Sequence, residues 1–445
     1  MIARAIRDLA LTGVLALLAA TAAAEPLTLK QARQAALANR PLVRAGDLSA
    51  QAAGRNTAQV EAARYPQLTA SITAADAYRE TTTQDGREVT LDSRIAAGGL
   101  NNPTVLRRES NGLYLSQLVT DFGRTSRLIE SARLSEQAQR RQAQATRAQV
   151  LLEVSEAYYA ALGAQGVLAV ANKTVEARRV LFDRVSVMAR SKLKSELDVR
   201  FAQIGLDDAR LLLLKAESAL QGAFARLSTA MGYRDAKPFE LVDDISAPLP
   251  PADLAPLLEQ AVAARPDLAS LRAEREAAAK SAQAAGALRY PTINLYAAAG
   301  VTPYGDDRLS REYGAIGINL SLPLFDGGRI SALEDQAQLK ASALAENLRE
   351  AENGILRSVR LAWLDARSGF ENIAITGRLR EASAQALVLA ETRYNLGITS
   401  IVELNQAQLS AIDSELASTR ARYQYLADRA VLDYQLGAFE DPGAP

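Results

Sequence analysis

The sequence predicts a mainly α-helical protein with a small strand component. Three observations carry that expectation: two long stretches without proline, a chain written twice, and short segments whose hydrophobic period switches from helical to alternating. No proline lies between Thr104 and Lys237 or between Leu324 and Asp441, although the chain holds 15. An interior proline costs a helix about 3 kcal/mol, so such stretches suit long helices. Apolar residues make up 48% of the chain but aromatics only 5%, which leaves an Ala- and Leu-rich mixture that favours helix over sheet.

Residues 1–24 read as a secretory signal. Arg4 and Arg7 precede the apolar stretch Leu9–Ala20, and Ala22, Ala23 and Ala24 supply small residues for cleavage before Glu25. The alternative, an N-terminal anchor, has an apolar core shorter than the ~20 residues a span needs. No cysteine follows, so a lipoprotein is not expected. No later segment is a long uncharged apolar run, and a membrane crossing by the mature chain would have to use strands.

The duplication comes next. Asn39-Arg40-Pro41 is echoed by Ala264-Arg265-Pro266 and Arg64-Tyr65-Pro66 by Arg289-Tyr290-Pro291, both at an offset of 225 residues. Asp121-Phe122-Gly123-Arg124 matches Asp326-Gly327-Gly328-Arg329, Ala202-Gln203 matches Ala407-Gln408, and Met231-Gly232 matches Leu436-Gly437, all at an offset of 205. The extra length of the first copy therefore lies between Pro66 and Asp121. The chain divides into a first repeat over 25–237, a Pro-rich extended linker over 238–256, a second repeat over 257–437 and a tail over 438–445.

Within each repeat a short first helix precedes a strand hairpin and a long helical hairpin. In the first, Leu151, Val154, Tyr158, Ala161, Leu168, Val175 and Phe182 follow three-four steps or heptads, as in a coiled-coil seam. Arg124 to Arg190 suits one helix about 100 Å long at ~1.5 Å per residue. A break at Lys192–Ser195 leads to a return helix closed by Gly232; the second repeat has its break at Gly397–Ser400 and closes at Gly437.

The period switches to two over Gly314–Leu324, where Ile316, Ile318, Leu320, Leu322 and Leu324 alternate with small or polar residues. It does so again over Ile293, Leu295, Ala297, Ala299 and Val301. The first copy shows a weaker version in Leu68, Ala70, Ile72 and Ala74, then Leu113 and Leu115, with Arg79–Ser110 and Pro303–Arg311 as hairpin loops. Such strands fit a soluble helical protein with two small hairpins. With an export signal and a duplication, they also fit outer-membrane barrel strands. Four strands cannot close a barrel and an open edge cannot stand in lipid, so a barrel would have to be shared between chains.

Composition narrows the chemistry. There are 51 basic and 51 acidic residues, no cysteine and no histidine. Disulfides, thiolate chemistry and imidazole ligands or triads are excluded, and the balanced charge argues against nucleic-acid binding. No cofactor or metal site and no enzymatic activity are expected.

The opening Leu27-Thr28-Leu29-Lys30-Gln31-Ala32 with Ala35-Ala36-Leu37 and Asn39-Arg40-Pro41, the corner Leu322-Pro323-Leu324-Phe325-Asp326-Gly327-Gly328-Arg329 and the tip Arg393-Tyr394-Asn395-Leu396-Gly397 resemble the TolC-like outer-membrane efflux channel family over essentially the whole mature chain. The resemblance implies a homotrimer: twelve strands forming one outer-membrane β-barrel, and helices continuing as a periplasmic α-barrel. It implies no activity beyond conduction. Its partners would be a periplasmic adaptor and an inner-membrane pump of RND or ABC type, and its cargo small molecules or proteins. Carried over by motif, the periplasmic constriction would use Asp198, Tyr394, Glu403, Gln406 and Thr399, the last standing where a well-known member has arginine. The tips that meet the adaptor would be Lys192, Leu193, Lys194 and Ser195 in the first copy and Gly397, Ile398 and Ser400 in the second. A helix cap is the local alternative for Asp198, and a solvated helix charge for Glu403.

Two other classes compete. A periplasmic coiled-coil adaptor predicts one helical hairpin flanked by β-rich domains, whereas this chain repeats its hairpin and its strands. A carboxylate-based glycosidase could draw on Asp207-Asp208 or Asp306-Asp307, but neither pair is framed by aromatic residues for sugar.

Overall fold

The computed structural model of the chain describes residues 26–76, 81–84, 86–90, 107–243, 246–302 and 311–439. The expected signal segment, the tail beyond 439 and most of the loop at 303–311 lie outside them. The first copy comprises β1 (Pro26–Leu27), α1 (Leu29–Asn39), α2 (Pro41–Glu61), β2 (Gln67–Asp76), β3 (Thr81–Gln84), β4 (Arg87–Thr90), β5 (Arg107–Thr120), α3 (Arg124–Arg190) and α4 (Glu196–Ala230). After β6 (Glu240–Leu241) the second copy follows with α5 (Ala255–Ala264), α6 (Pro266–Gly286), β7 (Thr292–Val301), β8 (Glu312–Ser321), α7 (Arg329–Asn395) and α8 (Ile401–Gln435). The long helices α3 and α7 each have 67 residues and their return helices α4 and α8 each have 35. Two compact units result, each drawing on both copies: one holds the chain up to Leu48, Arg141–Ala269 and Glu350 onward, the other Ser49–Arg140 and Ser270–Arg349.

In the second unit β2, β5, β7 and β8 form one antiparallel sheet in that order. Its register gathers the alternating residues into rows: Leu68, Leu115, Ala297 and Ile316 stand opposite one another, as do Ala70, Leu113 and Ala299. This apolar face is exposed, with Ile72 at 80%, Ile316 at 78% and Ile318 at 73%. The other face carries Gln67, Ser116, Tyr296 and Gly317 in one row and Thr69, Tyr114, Ala298 and Ala315 in the next. The Tyr313 ring covers Gly112 and Gly300 on neighbouring strands, where any Cβ would collide with it, and its hydroxyl lies 3.2 Å from those of Ser110 and Tyr114.

Two strand expectations need correction. β8 ends at Ser321, so Leu322 and Leu324 lie outside the ladder. Pro323 has no N–H to donate, and the chain instead turns into α7, whose Ile330 N–H is capped by Asp326. The Arg79–Ser110 segment is not only a loop. The β-branched Thr81–Thr83 pair with Glu88–Thr90 as a hairpin around Gly86 (φ 78°), and β5 begins at Arg107.

In the first unit the seam of α3 is buried as expected at Leu151, Val154, Tyr158 and Ala161. Farther along, Leu168, Val175 and Phe182 are only half-buried. The buried positions are instead Ala171, Thr174, Arg178, Leu181 and Val185. A helix of 3.6 residues per turn drifts ~20° per heptad against a 3.5 repeat, so positions a full heptad apart rotate off the seam.

The linker is extended and pinned to helices. The Tyr158 hydroxyl lies 2.8 Å from the carbonyl oxygens of both Leu27 and Val242, joining it to the β1–β6 pair. The Tyr423 hydroxyl donates to Asp243, that of Tyr425 to Pro248 O, and Trp363 Nε1 to Pro251 O at 2.9 Å. Trp363 occupies the position in copy two that Tyr158 holds in copy one, so both copies use an aromatic donor, buried at Tyr158 and half-buried at Trp363, to hold the connecting segment.

Candidate functional site

The helical tips hold all the predicted site residues, and each tip is shaped by how its helix ends. α3 closes with Leu193 N–H donating to Met188 O and Lys192 N–H to Ala189 O, both at 2.9 Å; α7 closes with Ile398 N–H to Arg393 O (2.9 Å) and Gly397 N–H to Tyr394 O (3.0 Å). This geometry requires a left-handed residue. Gly397 supplies it at φ 74°, whereas the first copy uses Lys192 at φ 63°. A side chain there costs roughly 1 kcal/mol. Lys192→Gly should therefore raise stability by about 1 kcal/mol, less the entropy that glycine adds to the unfolded chain; urea unfolding midpoints of the two proteins check it.

The return helices begin differently. Ser195 caps α4 in a reciprocal box: its hydroxyl accepts from Asp198 N–H at 3.2 Å, and Asp198 Oδ2 accepts from Ser195 N–H at 2.9 Å and from the Ser195 hydroxyl at 2.8 Å. Glu403 holds the corresponding place in α8 but makes no such cap. Its carboxylate accepts from the Thr399 hydroxyl and lies 3.6 Å from Arg393 Nε. Glu403 and Gln406 are both exposed, one turn apart on the same face.

Tyr394 belongs to the buried cluster of Leu181, Val185, Ala202, Ala390, Ile401 and Leu404. It is 2% exposed, its hydroxyl has no hydrogen-bond partner, and burial, with the nearby Asp198 charge, pushes its pKa up to about 12. The structure thus brings Asp198 and Tyr394 near each other without a hydrogen bond, because the carboxylate is already engaged by Ser195. Lys194 is folded inward against Tyr394, while Lys192, Leu193, Ser195, Gly397, Ile398 and Ser400 are exposed.

The sequence reading missed Arg178. Its buried guanidinium donates through Nη1 to Asn405 Oδ1 at 2.8 Å and to Gln408 Oε1 on α8. Gly205 makes room for it on α4, since a Cβ there would stand 2.9 Å from Nη1. Burial lowers its pKa, with Asp208 acting in the opposite sense. An arginine on an apolar seam, paired in the other copy with Ser383, was the available signal.

Among the described residues no helix is long and apolar enough to cross a membrane, and no cluster of three or more acidic side chains is placed to hold a metal ion. The fold and the tips define a class: a duplicated helical-hairpin protein bearing an open sheet with one largely apolar face. Residues 32–233 and 257–438 match the outer membrane efflux protein family, and the chain belongs to it. Outer membrane protein TolC of Salmonella enteritidis is 24% identical over 305 residues, covering 66% of this chain and 62% of that protein; the match thus spans less than two thirds of its length. Alkaline protease secretion protein AprF of Pseudomonas aeruginosa is 28% identical over 354 residues, covering 74% of this chain and 69% of AprF. The solved outer-membrane channel OprN shares the fold with a TM-score of 0.77 at 22% identity, over 92% of this chain and 90% of that one.

Proposed function

We propose that this chain is one third of an outer-membrane channel-tunnel that gives an inner-membrane pump, of RND or ABC type, and its periplasmic adaptor an exit path for small molecules or proteins. The observation that carries the reading is the sheet. One face carries exposed apolar residues on all four strands, Ile72, Leu113, Val301 and Ile318 among them, and the edges β2 and β8 have no partner strand among the described residues. Unpaired edges are not tolerated in lipid, and three copies joined edge to edge give a closed barrel of twelve strands with a lumen. The export signal at 1–24 and the family support the outer membrane as location. An adaptor would need only one hairpin, and the duplicated one favours the channel. Secretion by AprF and efflux in the family name both fit a conduit without substrate chemistry of its own.

In this reading Glu403 and Gln406 line the periplasmic constriction, with Asp198, Tyr394 and Thr399 around it, and the exposed tip residues receive the adaptor's helices. Membrane fractionation tests the assignment: a heat-labile trimer in the outer membrane is expected, and a soluble monomer would overturn it. A ring of three Glu403 carboxylates would attract cations. Glu403→Ala should therefore lower cation selectivity and weaken divalent-cation block in planar bilayers by roughly twofold or more; identical currents would remove Glu403 from the constriction.

A further inference from the structure

The first copy's tip reaches the second copy through Lys194, a side chain that the family motif assigns to the adaptor-facing surface and not to a link between the hairpins. Lys194 lies between the end of α3 and the cap of α4, in the turn that the left-handed Lys192 creates. Its ammonium sits 3.8 Å from the centre of the Tyr394 ring and donates to the Tyr394 carbonyl oxygen at 3.5 Å. That ring is itself held by the buried cluster of α3, α4, α7 and α8, so the cation rests on a fixed face.

The other groups nearby are committed elsewhere. Asp198 is taken by the Ser195 cap and Glu403 by Thr399 and Arg393. The Tyr394 hydroxyl, the group that could have reached across the hairpins by a hydrogen bond, has no partner. Beyond the shared apolar cluster and the Arg178 hydrogen bonds farther along α3, the two tips are spanned by a charge on an aromatic face.

We propose that Lys194 is a latch that holds the two hairpin tips of each chain together in the resting channel, and that it grips the ring of Tyr394 and not its hydroxyl. The inference rests on the channel reading above. A half-buried cation on an aromatic face is stronger than an exposed one, because less water competes for the ammonium. Its loss shifts a closed-to-open balance by about tenfold. Arginine can make the same contact, and phenylalanine presents the same face as tyrosine without the hydroxyl.

The experiment compares single-channel open fractions of the purified full-length protein in planar bilayers, with trimer yield as a check on folding. Lys194→Met and Tyr394→Leu should each raise the open fraction about tenfold, while Lys194→Arg and Tyr394→Phe stay near wild type. Wild-type behaviour of Lys194→Met overturns the latch, and so does a Tyr394→Phe channel as open as Lys194→Met, since that would assign the lock to the hydroxyl. If Tyr394→Leu yields no trimer, Lys194→Met and Tyr394→Phe still decide. A wild-type protein that forms trimers but never conducts overturns the channel reading and the latch together. A conducting wild type indifferent to Lys194 overturns the latch alone.

Discussion

Valine at Gly232 or at Gly437 is expected to cost about 2–5 kcal/mol, enough to remove most of the folded protein from cells. Each glycine ends a return helix in the left-handed region, at φ 83° and 70°. A side chain in that conformation costs about 1–2 kcal/mol before it touches anything. Here it also meets backbone: a Cβ on Gly232 would stand 2.9 Å from the Asn39 carbonyl carbon and 3.0 Å from Arg40 N, and one on Gly437 3.0 Å from the Ala264 carbonyl carbon. Peptide units cannot rotate aside as a flexible side chain does, so the helix junction itself must shift, adding about 1–3 kcal/mol. Denaturant unfolding and trimer yield measure the loss. The contrast is Gly222, which has nothing within 4 Å of its Cβ position and whose φ is ordinary, so Gly222→Ala should be neutral or stabilising.

Arg265→Met is expected to cost about 2 kcal/mol at neutral pH. Arg265 is buried; it donates through Nε to Asp267 Oδ1 at 3.0 Å and through Nη2 to Oδ2 at 2.7 Å, and reaches the side chain and carbonyl of Gln435 at the end of α8. Arg40 does the same in copy one, donating to Thr229 O near the end of α4 and pairing with Glu153 at 2.6 Å. Removing the guanidinium leaves a carboxylate that is already 34% exposed, which keeps the cost below that of a fully buried broken pair. Burial works against the charged Asp267, but hydrogen bonds and charge from Arg265, with the Leu268 N–H, outweigh it and hold its pKa below the ordinary value. The sign follows: this stabilisation is complete above the unfolded pKa of about 3.9 and is lost as pH falls through the lower folded value. Thermal unfolding should show a constant gap between wild type and variant near neutrality that narrows below about pH 4.

These two junctions explain why the repeated Arg-Pro and Met-Gly or Leu-Gly pairs were so legible. Arginine, proline and glycine meet at one place in each copy, and each has a stereochemical reason that no other residue satisfies. The long helices were legible because the absence of proline allows them and the repeated Gly-Arg corners, the breaks at the tips and the closing glycines mark their ends. The sheet was legible in its faces but not its ends, since alternation continues through Leu322 and Leu324 after hydrogen bonding has stopped.

The tips were the least legible. Motif matching singled out Asp198, Tyr394 and Glu403, and all three lie at the tips, but which partner each carboxylate takes depends on neighbours: Ser195 captures one and Thr399 with Arg393 the other. The family motif puts Lys194 among the tip residues that meet the adaptor, and only the packing of Tyr394 reveals that it points inward. Arg178 was hidden because a seam is searched for apolar residues.

Among the described residues, the two left-handed positions filled by residues other than glycine, Phe122 and Lys192, both fall in copy one, and their counterparts Gly327 and Gly397 both fall in copy two. Beside each, copy one reaches a tyrosine of copy two: the Phe122 ring lies 6.0 Å from that of Tyr290, and Lys194, two residues past Lys192, rests on Tyr394. At the place matching Tyr394, copy one has Ala189, and at the place matching Lys194, copy two has Thr399. The halves have therefore ceased to be interchangeable. A chain assembled from copy two twice would keep the long helices and the four-stranded sheet pattern, lose the Thr81–Thr90 hairpin and lack both contacts, so divergence after duplication has made each half necessary to the other.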